Sequence, residues 1–430
     1  MTPLNIPSGL KDEMRLWRRD FHKYPERGWT EFRTTAKIAE QLAECGWPLR
    51  FSKDFLRAED IMGRDVDVER EKSRATAQGA DEKLIAEMGG YTGLTAELDA
   101  GREGPVLALR FDIDCVECRE AKDERHFPAR EGFSSVNDGL MHSCGHDGHA
   151  AVGLALARLL MDERKRLCGK VVLIFQPAEE GVRGGYAMAR GGVVDGADYF
   201  LTMHLGLGRP TGSVVCGMGG FLCSTKFDAG FAGAGAHAGA EPERGRNALL
   251  AAASAALNLH AIAPHSGGAT RVNVGVLRAG EGRNVVPPAA LMKIETRGED
   301  AQVAKYVYGR SMEVLKGAAA MYGVSLTVTK QGETVGAESD AELAATVAEA
   351  ARASEGVTRI DEYGKMAGSD DACWLMERVQ RGGGKAAYIG IGADSPAGHH
   401  NERFDIDEAA MDVALSVLAN SALLICGRKE

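Results

Sequence analysis

The chain carries no surplus of positive charge. Lys and Arg number 51 against 61 Asp and Glu, a formal net charge of −10, which argues against a general nucleic-acid binder and against a basic membrane-surface protein. The opening "MTPLNIPSGLKDEMRLWRRD" lacks an apolar core behind a basic start, so it does not read as a signal peptide. Long apolar runs are scarce: "NALLAAASAALNLHAIA" at 247–263 reads as the longest, and Ser254, Asn258 and His260 interrupt it. A membrane span is therefore not expected. The 9 cysteines are scattered and odd in number, which suits free thiols in the cytoplasm better than a disulfide framework. Internal repeats and low-complexity segments are absent.

What is present fits a globular chain. At 430 residues, 44% hydrophobic and 26% charged, two domains are the natural expectation. "GLKDEMRLWRRDFHKYPE" has helical spacing and Pro25 ends it. Residues 56–92 are charge-rich and read as an inserted surface excursion with one helix. "YTGLTAELDAGREGPVLALRFDID" reads as a β-hairpin, and "AAVGLALARLLMDERKR" as an amphipathic helix. "GKVVLIFQPAEEG" reads as a strand buried on both faces. Strands alternating with helices predict a mixed-sheet α/β domain over 1–215 and 336–430. Between them, 216–335 has the β-α-β-β-α-β order of a split-βαβ α+β domain. The α/β domain is thus expected to be discontinuous.

Polar clusters follow the apolar strands at "RFDID", "HSCGHDGH", "QPAEEG", "TMHLG" and "GHHNERFDID". Sites in open α/β sheets form beyond the carboxyl ends of the strands. Cys144 and His146, one glycine apart, converge on an ion if they sit on a turn; a thiolate with an imidazole suits zinc or a similar metal. His142 with His146 is the rival helical pairing, disfavoured by Gly145. Alone, the cluster has a second, lesser reading as a helix start with satisfied surface histidines. The adjacent carboxylates Glu179 and Glu180 repel each other unless a cation stands between them. One can then bind the ion while the other takes a proton from water.

These stretches together resemble the dinuclear metallopeptidase family of carboxypeptidase G, aminoacylase and the auxin-conjugate amidohydrolases. "RRDFHKYPERGWTE", "LRFDID", "MHSCGHDGHA", "FQPAEEG", "TMHLG", "GAGAHAGAEPERGRNAL" and "NVVPPAALMKIETRG" carry the resemblance, in register along most of the chain. It implies two divalent metal ions, Mn or Zn, held by Cys144, His146, Glu180, His204 and His400, with Cys144 bridging. His400 is preferred to His399 because it stands four residues before Phe404. It further implies Glu179 as general base, and Asp112 as an acid that orients a ligand.

The inserted domain resembles the family's lid and dimerisation domain. His237 there would steady the oxyanion, in a neighbouring subunit's site. Asn284 and Arg297 would meet the substrate's free carboxylate, and "AGSDDACW" would line the cleft. The implied partners are a small N-acyl amino acid and either an identical chain or a related subunit, without nucleic acid or membrane. The 56–92 insertion resembles the branch that splits aminobenzoyl-glutamate or auxin-aspartate conjugates into an aromatic acid and an acidic amino acid. Two other readings stay open at this point. One is a metal-binding subunit without turnover of its own, and the other is a redox pair at Cys115 and Cys118.

Overall fold

The computed structural model describes residues 4–366 and 368–428. An eight-stranded sheet runs, edge to edge, through Leu49–Phe51, Leu94–Asp99, Lys170–Gln176, Val106–Asp112, Tyr199–Leu205, Lys385–Ile391, Ser213–Val215 and Arg359–Asp361. The four strands from Lys170–Gln176 to Lys385–Ile391 are mutually parallel. They are apolar and buried almost throughout, as strands covered by helices on both faces must be. Their carboxyl ends therefore open on one side of the sheet.

The expected hairpin is not formed. Leu94–Asp99 and Val106–Asp112 are separated by Lys170–Gln176, antiparallel to the first and parallel to the second. The all-apolar "KVVLIF" needs a neighbour on each edge, and a central position supplies both. The 56–92 segment also differs from expectation. It holds two helices, Val68–Ala77 and Glu82–Glu87, and its Ala75, Ile85 and Met88 are buried in the main core. Most of its charges face solvent, but Asp60 is buried and Arg74 reaches the buried Glu26 at 2.8 Å, so ion pairing joins this short apolar set in anchoring it.

Helix His146–Asp162 is not amphipathic. It is rich in Ala and Leu, good helix formers, and is buried on nearly every side between the sheet and the helices Ser8–Lys23 and Ala409–Cys426. Among the described residues, Ala409–Cys426 is a longer apolar helix than Ala248–His260. It is long and apolar enough to cross a membrane, yet 78% of it is buried inside the protein, where a core helix belongs.

A second, four-stranded antiparallel sheet comes from 223–334, inside the sequence that completes the first. Its order is Ser325–Thr334, Cys223–Ala232, Ala289–Gly298, Thr270–Ala279. Residues alternate along it: Phe227, Ala229, Phe231, Met292 and Ile294 pack under helices Ala248–His260 and Ala301–Tyr322. The other face is polar. Asp300 caps the longer helix and Gly323, at φ 64°, ends it. The split-βαβ expectation matches this sheet.

Candidate metal centre

The donors gather where the parallel strands end. Val106–Asp112 delivers Asp112 and, two residues on, Asp114. Lys170–Gln176 runs into Pro177–Glu180, Tyr199–Leu205 carries His204, and the chain beyond Lys385–Ile391 brings His399 and His400. Gly145, at φ 91°, turns the chain into helix His146–Asp162, a conformation open to glycine at little cost. Cys144 thus precedes the turn and His146 opens the helix. The backbone N–H of His400 donates to Ser143 O at 2.8 Å, tying the last loop to this turn.

Asp114 organises the centre. Its two carboxylate oxygens accept the backbone N–H groups of Glu179 and Glu180, both at 3.0 Å, and its backbone carbonyl accepts from His146 Nδ1 at 2.9 Å. Glu31 Oε1 accepts the N–H of Ala178 at 2.7 Å. Ala178 (φ 53°) and His400 (φ 63°) are both held in the left-handed region, strain that the surrounding bonds sustain. Arg183 donates to Glu180 O at 2.9 Å and to Gly63 O at 3.1 Å. The 56–92 segment is thereby fastened to the Glu179–Glu180 turn.

Hydrogen-bond partners decide which imidazole nitrogens keep a free lone pair. His146 Nδ1–H and His204 Nδ1–H donate to the carbonyls of Asp114 and Leu205. That leaves Nε2 of each pointing inward, and His146 Nε2 has no hydrogen-bond partner in its buried position. His149 is used up: Nδ1 meets Asp112 Oδ1 at 2.5 Å and Nε2 accepts the Leu205 N–H at 3.0 Å. His399 Nε2 accepts the Leu207 N–H at 3.2 Å, so its Nδ1 carries the proton, 3.6 Å from Cys144 Sγ. Burial, with His400 nearby, pushes the His399 pKa down to about 4 and keeps it neutral. His399 is therefore a donor to the Cys144 sulfur, while His400 Nε2 lies 3.4 Å from Glu180 Oε1.

Ligand atoms of Cys144, Glu180 and His400 fall within 4.8 Å of one another, as do those of His146, Glu179 and Glu180, and of Cys144, His204 and His399. Cys144 and Glu180 are shared between groups. Asp112 does not bond His146 Nε2, which lies 3.8 Å away; it accepts from Arg110 Nη1 at 2.6 Å and braces His149. Arg110 also reaches Asp371 at 3.0 Å, and Gln176 and the Gly185 N–H join Asp371. Of the "AGSDDACW" segment, Ala367 lies outside the described residues.

The electrostatics call for cations. Burial, then the charges of Asp370, Glu180 and Asp371, pushes the Glu179 pKa well above the carboxylate range. Burial, then Glu180, pushes the Cys144 thiol up. Such a concentration of acids and a thiol inverts once divalent charge stands among them, because a coordinating thiol is then deprotonated. Cys115 is different: burial, then Asp114 and other acids, drives its thiol well above 9. That is the opposite of a reactive redox thiol.

His237 and Asn284 lie apart from these donors, and neither makes a hydrogen bond to them. They sit together on the second sheet's loops, where the Ala238 N–H donates to Asn284 O at 3.0 Å. The N–H groups of Gly239 and Ala240 donate to His237 Nδ1 at 3.2 and 3.0 Å, which places the ring proton on the exposed Nε2. Arg297 is on the polar face of the second sheet, 3.0 Å from Glu295.

Sequence reasoning gave no role to Asp114 or Arg110, read His149 as support or helix start, and set His399 aside in favour of His400. It also missed a buried network beneath the centre. There Asp147 accepts from Arg18 Nε at 3.0 Å and His22 Nδ1 at 2.8 Å, while His22 Nε2 meets Glu120 at 3.0 Å. The alternation in "RFDID" could have found Asp114.

A discontinuous α/β sheet with paired acids, a cysteine thiol and imidazoles at its strand ends defines a metal-dependent hydrolase of the peptidase and amidohydrolase kind. The chain belongs to peptidase family M20/M25/M40, whose model matches residues 108–423. It is 51% identical over 418 residues, 96% of each chain, to the indole-3-acetyl-aspartic acid hydrolase of Enterobacter agglomerans. It is 48% identical over 420 residues, 97% of this chain and 96% of the other, to one of the subunits of p-aminobenzoyl-glutamate hydrolase from Escherichia coli K12. The crystal structure of the aminobenzoyl-glutamate utilization protein from Klebsiella pneumoniae superposes with a TM-score of 0.83, at 43% identity and 98% coverage of both chains.

Proposed function

We propose that the protein hydrolyses the amide bond between an aromatic acyl group and an acidic amino acid, with p-aminobenzoyl-glutamate as first candidate and indole-3-acetyl-aspartate as second. The carrying observation is the placement of adjacent Glu179 and Glu180, both amides held by Asp114, against the free donors of Cys144, His146, His204 and His400. The unpartnered His146 Nε2 and Glu180 Oε1, buried among these donors, fit the role of metal ligands. Cys144, His146, Glu180, His204 and His400 would hold two divalent ions, zinc by the thiolate or manganese by the carboxylate and imidazoles. Bound there, the ions would polarise the scissile carbonyl and acidify the attacking water.

The chain's own residues do the rest. Glu179 accepts the water's proton and returns it to the leaving nitrogen. His149, His399 and Asp114 hold the donors in place from behind. His237 presents an Nε2–H to the developing oxyanion, in a neighbouring chain's site, since it stands away from its own. Arg297 and Asn284 bind the free carboxylate. In this reading 216–335 is the lid and pairing domain, joining two copies or a copy and a related subunit, and lid closure assembles the site. The nine free cysteines suit a cytoplasmic protein.

A hydrolysis screen of the metal-loaded protein tests the substrate. It should cleave p-aminobenzoyl-glutamate or indole-3-acetyl-aspartate faster than acetylated neutral amino acids. Equal or better cleavage of the neutral set would overturn the assignment.

A further inference from the structure

The polar face of the second sheet has a charge arrangement that the proposed chemistry leaves unused. Lys226 on Cys223–Ala232 stands opposite Glu295 on Ala289–Gly298, and Glu295 in turn stands opposite Asn273 on Thr270–Ala279. The neighbouring rung pairs Lys293 with Asp228. Together with Gln331 these residues line a shallow cavity of about 310 Å³. The alternation of the strands sends Phe227 and Ile294 into the core beneath, so the charged set faces outward by construction.

Lys226 is poorly neutralised. Glu295 accepts from Arg297 at 3.0 Å and from the Ser224 hydroxyl at 3.2 Å, leaving Lys226 Nζ 3.9 Å away, beyond hydrogen-bond reach. Yet Lys226 stands opposite Gly332 on Ser325–Thr334, and the next residue ties that strand to the turn after Glu180, the Glu333 N–H donating to Val182 O at 2.8 Å. It is thus an available cation between the lid sheet and the reacting centre. Arg297, opposite Ser224, is its diagonal neighbour across the two strands. Such diagonals separate Cα atoms by about 7–8 Å, within the reach of two long cationic side chains closing on one dicarboxylic amino acid.

We propose that Lys226, backed by Asn273 and Lys293, is the specificity-determining subsite for the side-chain carboxylate of the substrate's amino acid, while Arg297 takes the other carboxylate. This rests on the hydrolase reading above and adds to it the reason an acidic residue is selected. A neutral side chain in the same place leaves a charged lysine without its partner, and that asymmetry is what discriminates.

The test compares p-aminobenzoyl-glutamate with p-aminobenzoyl-glutamine on metal-loaded wild type, Lys226→Met and Lys226→Arg, with metal content measured for each. Loss of one charge-assisted bond predicts a rise in KM for the glutamate substrate of about 10- to 100-fold in Lys226→Met. Its kcat should change little, its KM for the glutamine analogue should fall because no lysine is then left unpartnered, and Lys226→Arg should restore most of the preference. An equal loss on both substrates, or no loss on either, overturns the proposal.

Calorimetric binding of free glutamate and glutamine separates the subsite from the reaction. Glutamate binding that Lys226→Met abolishes, in a wild type that hydrolyses neither amide, would keep the subsite and sink the hydrolase. Hydrolysis indifferent to side-chain charge, or glutamate binding that Lys226→Met leaves intact, would sink the subsite.

Discussion

The Cys144 thiol and the His204 imidazole meet at 3.6 Å across 60 residues of sequence. The Nδ1–H of His204 is committed to the Leu205 carbonyl at 2.8 Å, so the nitrogen facing the sulfur carries a lone pair. The thiol S–H is the donor to that lone pair, and a divalent ion that displaces the thiol proton would bind both atoms. Cobalt(II)-loaded protein is therefore expected to show a thiolate-to-metal charge-transfer absorption. Cys144→Ser should abolish it and weaken metal binding by more than the roughly 10- to 100-fold typical of losing a supporting partner. An unchanged spectrum in the variant would remove Cys144 from the ligand set.

Gly184 sits where the Pro177–Glu180 turn folds back on itself. A Cβ there would stand 1.8 Å from the Pro177 carbonyl oxygen, and that oxygen is backbone and cannot swing away. Gly184→Ala should cost about 1–3 kcal/mol of stability by forcing the backbone apart. It should also lower metal occupancy, because the displaced segment carries Glu179 and Glu180. Gly9→Ala meets nothing within 4 Å and serves as a control, neutral or slightly stabilising in denaturant titration.

His22 is buried between two acids. Burial lowers its pKa, but the hydrogen bonds to Asp147 and Glu120 outweigh that and raise it to about 9 from 6.5. A group with a raised folded pKa contributes stability that is complete below the unfolded value and is lost as pH climbs through the folded one. Between pH 6.5 and 9 the protein should lose on the order of 3 kcal/mol from this source. Urea midpoints measured across that window should fall in the wild type and stay flatter in His22→Gln. Parallel curves would show that His22 is not charged in the folded state.

Much of the centre was legible in the sequence for a physical reason. Apolar strands such as "VVLIF" and "AAYIGI" mark a buried parallel sheet, and parallel strands oblige their polar continuations to gather at one end. That logic gathered the clusters that carry Cys144, His146, Glu180 and His204, and the resemblance to the family picked these residues out of them. It failed where partners come from distant chain. The "PVLALRFD" strand looked like half of a hairpin because its real neighbour, Lys170–Gln176, lies beyond a whole helix. Asp114 was passed over because its task, holding two backbone amides, leaves no spacing signature. His399 and His400 are adjacent in sequence, and only the Leu207 amide, bonded to one of them, tells the sulfur's donor from the free imidazole.

Glu179 carries the central claim. Metal-loaded wild type and Glu179→Gln, matched for metal content, should be compared for kcat/KM on p-aminobenzoyl-glutamate. Removing the proton acceptor while leaving the Cys144, His146, Glu180, His204 and His400 donors intact should cut kcat/KM by about 100- to 10,000-fold. A variant that keeps its metal and hydrolyses the substrate as fast as wild type would contradict the account.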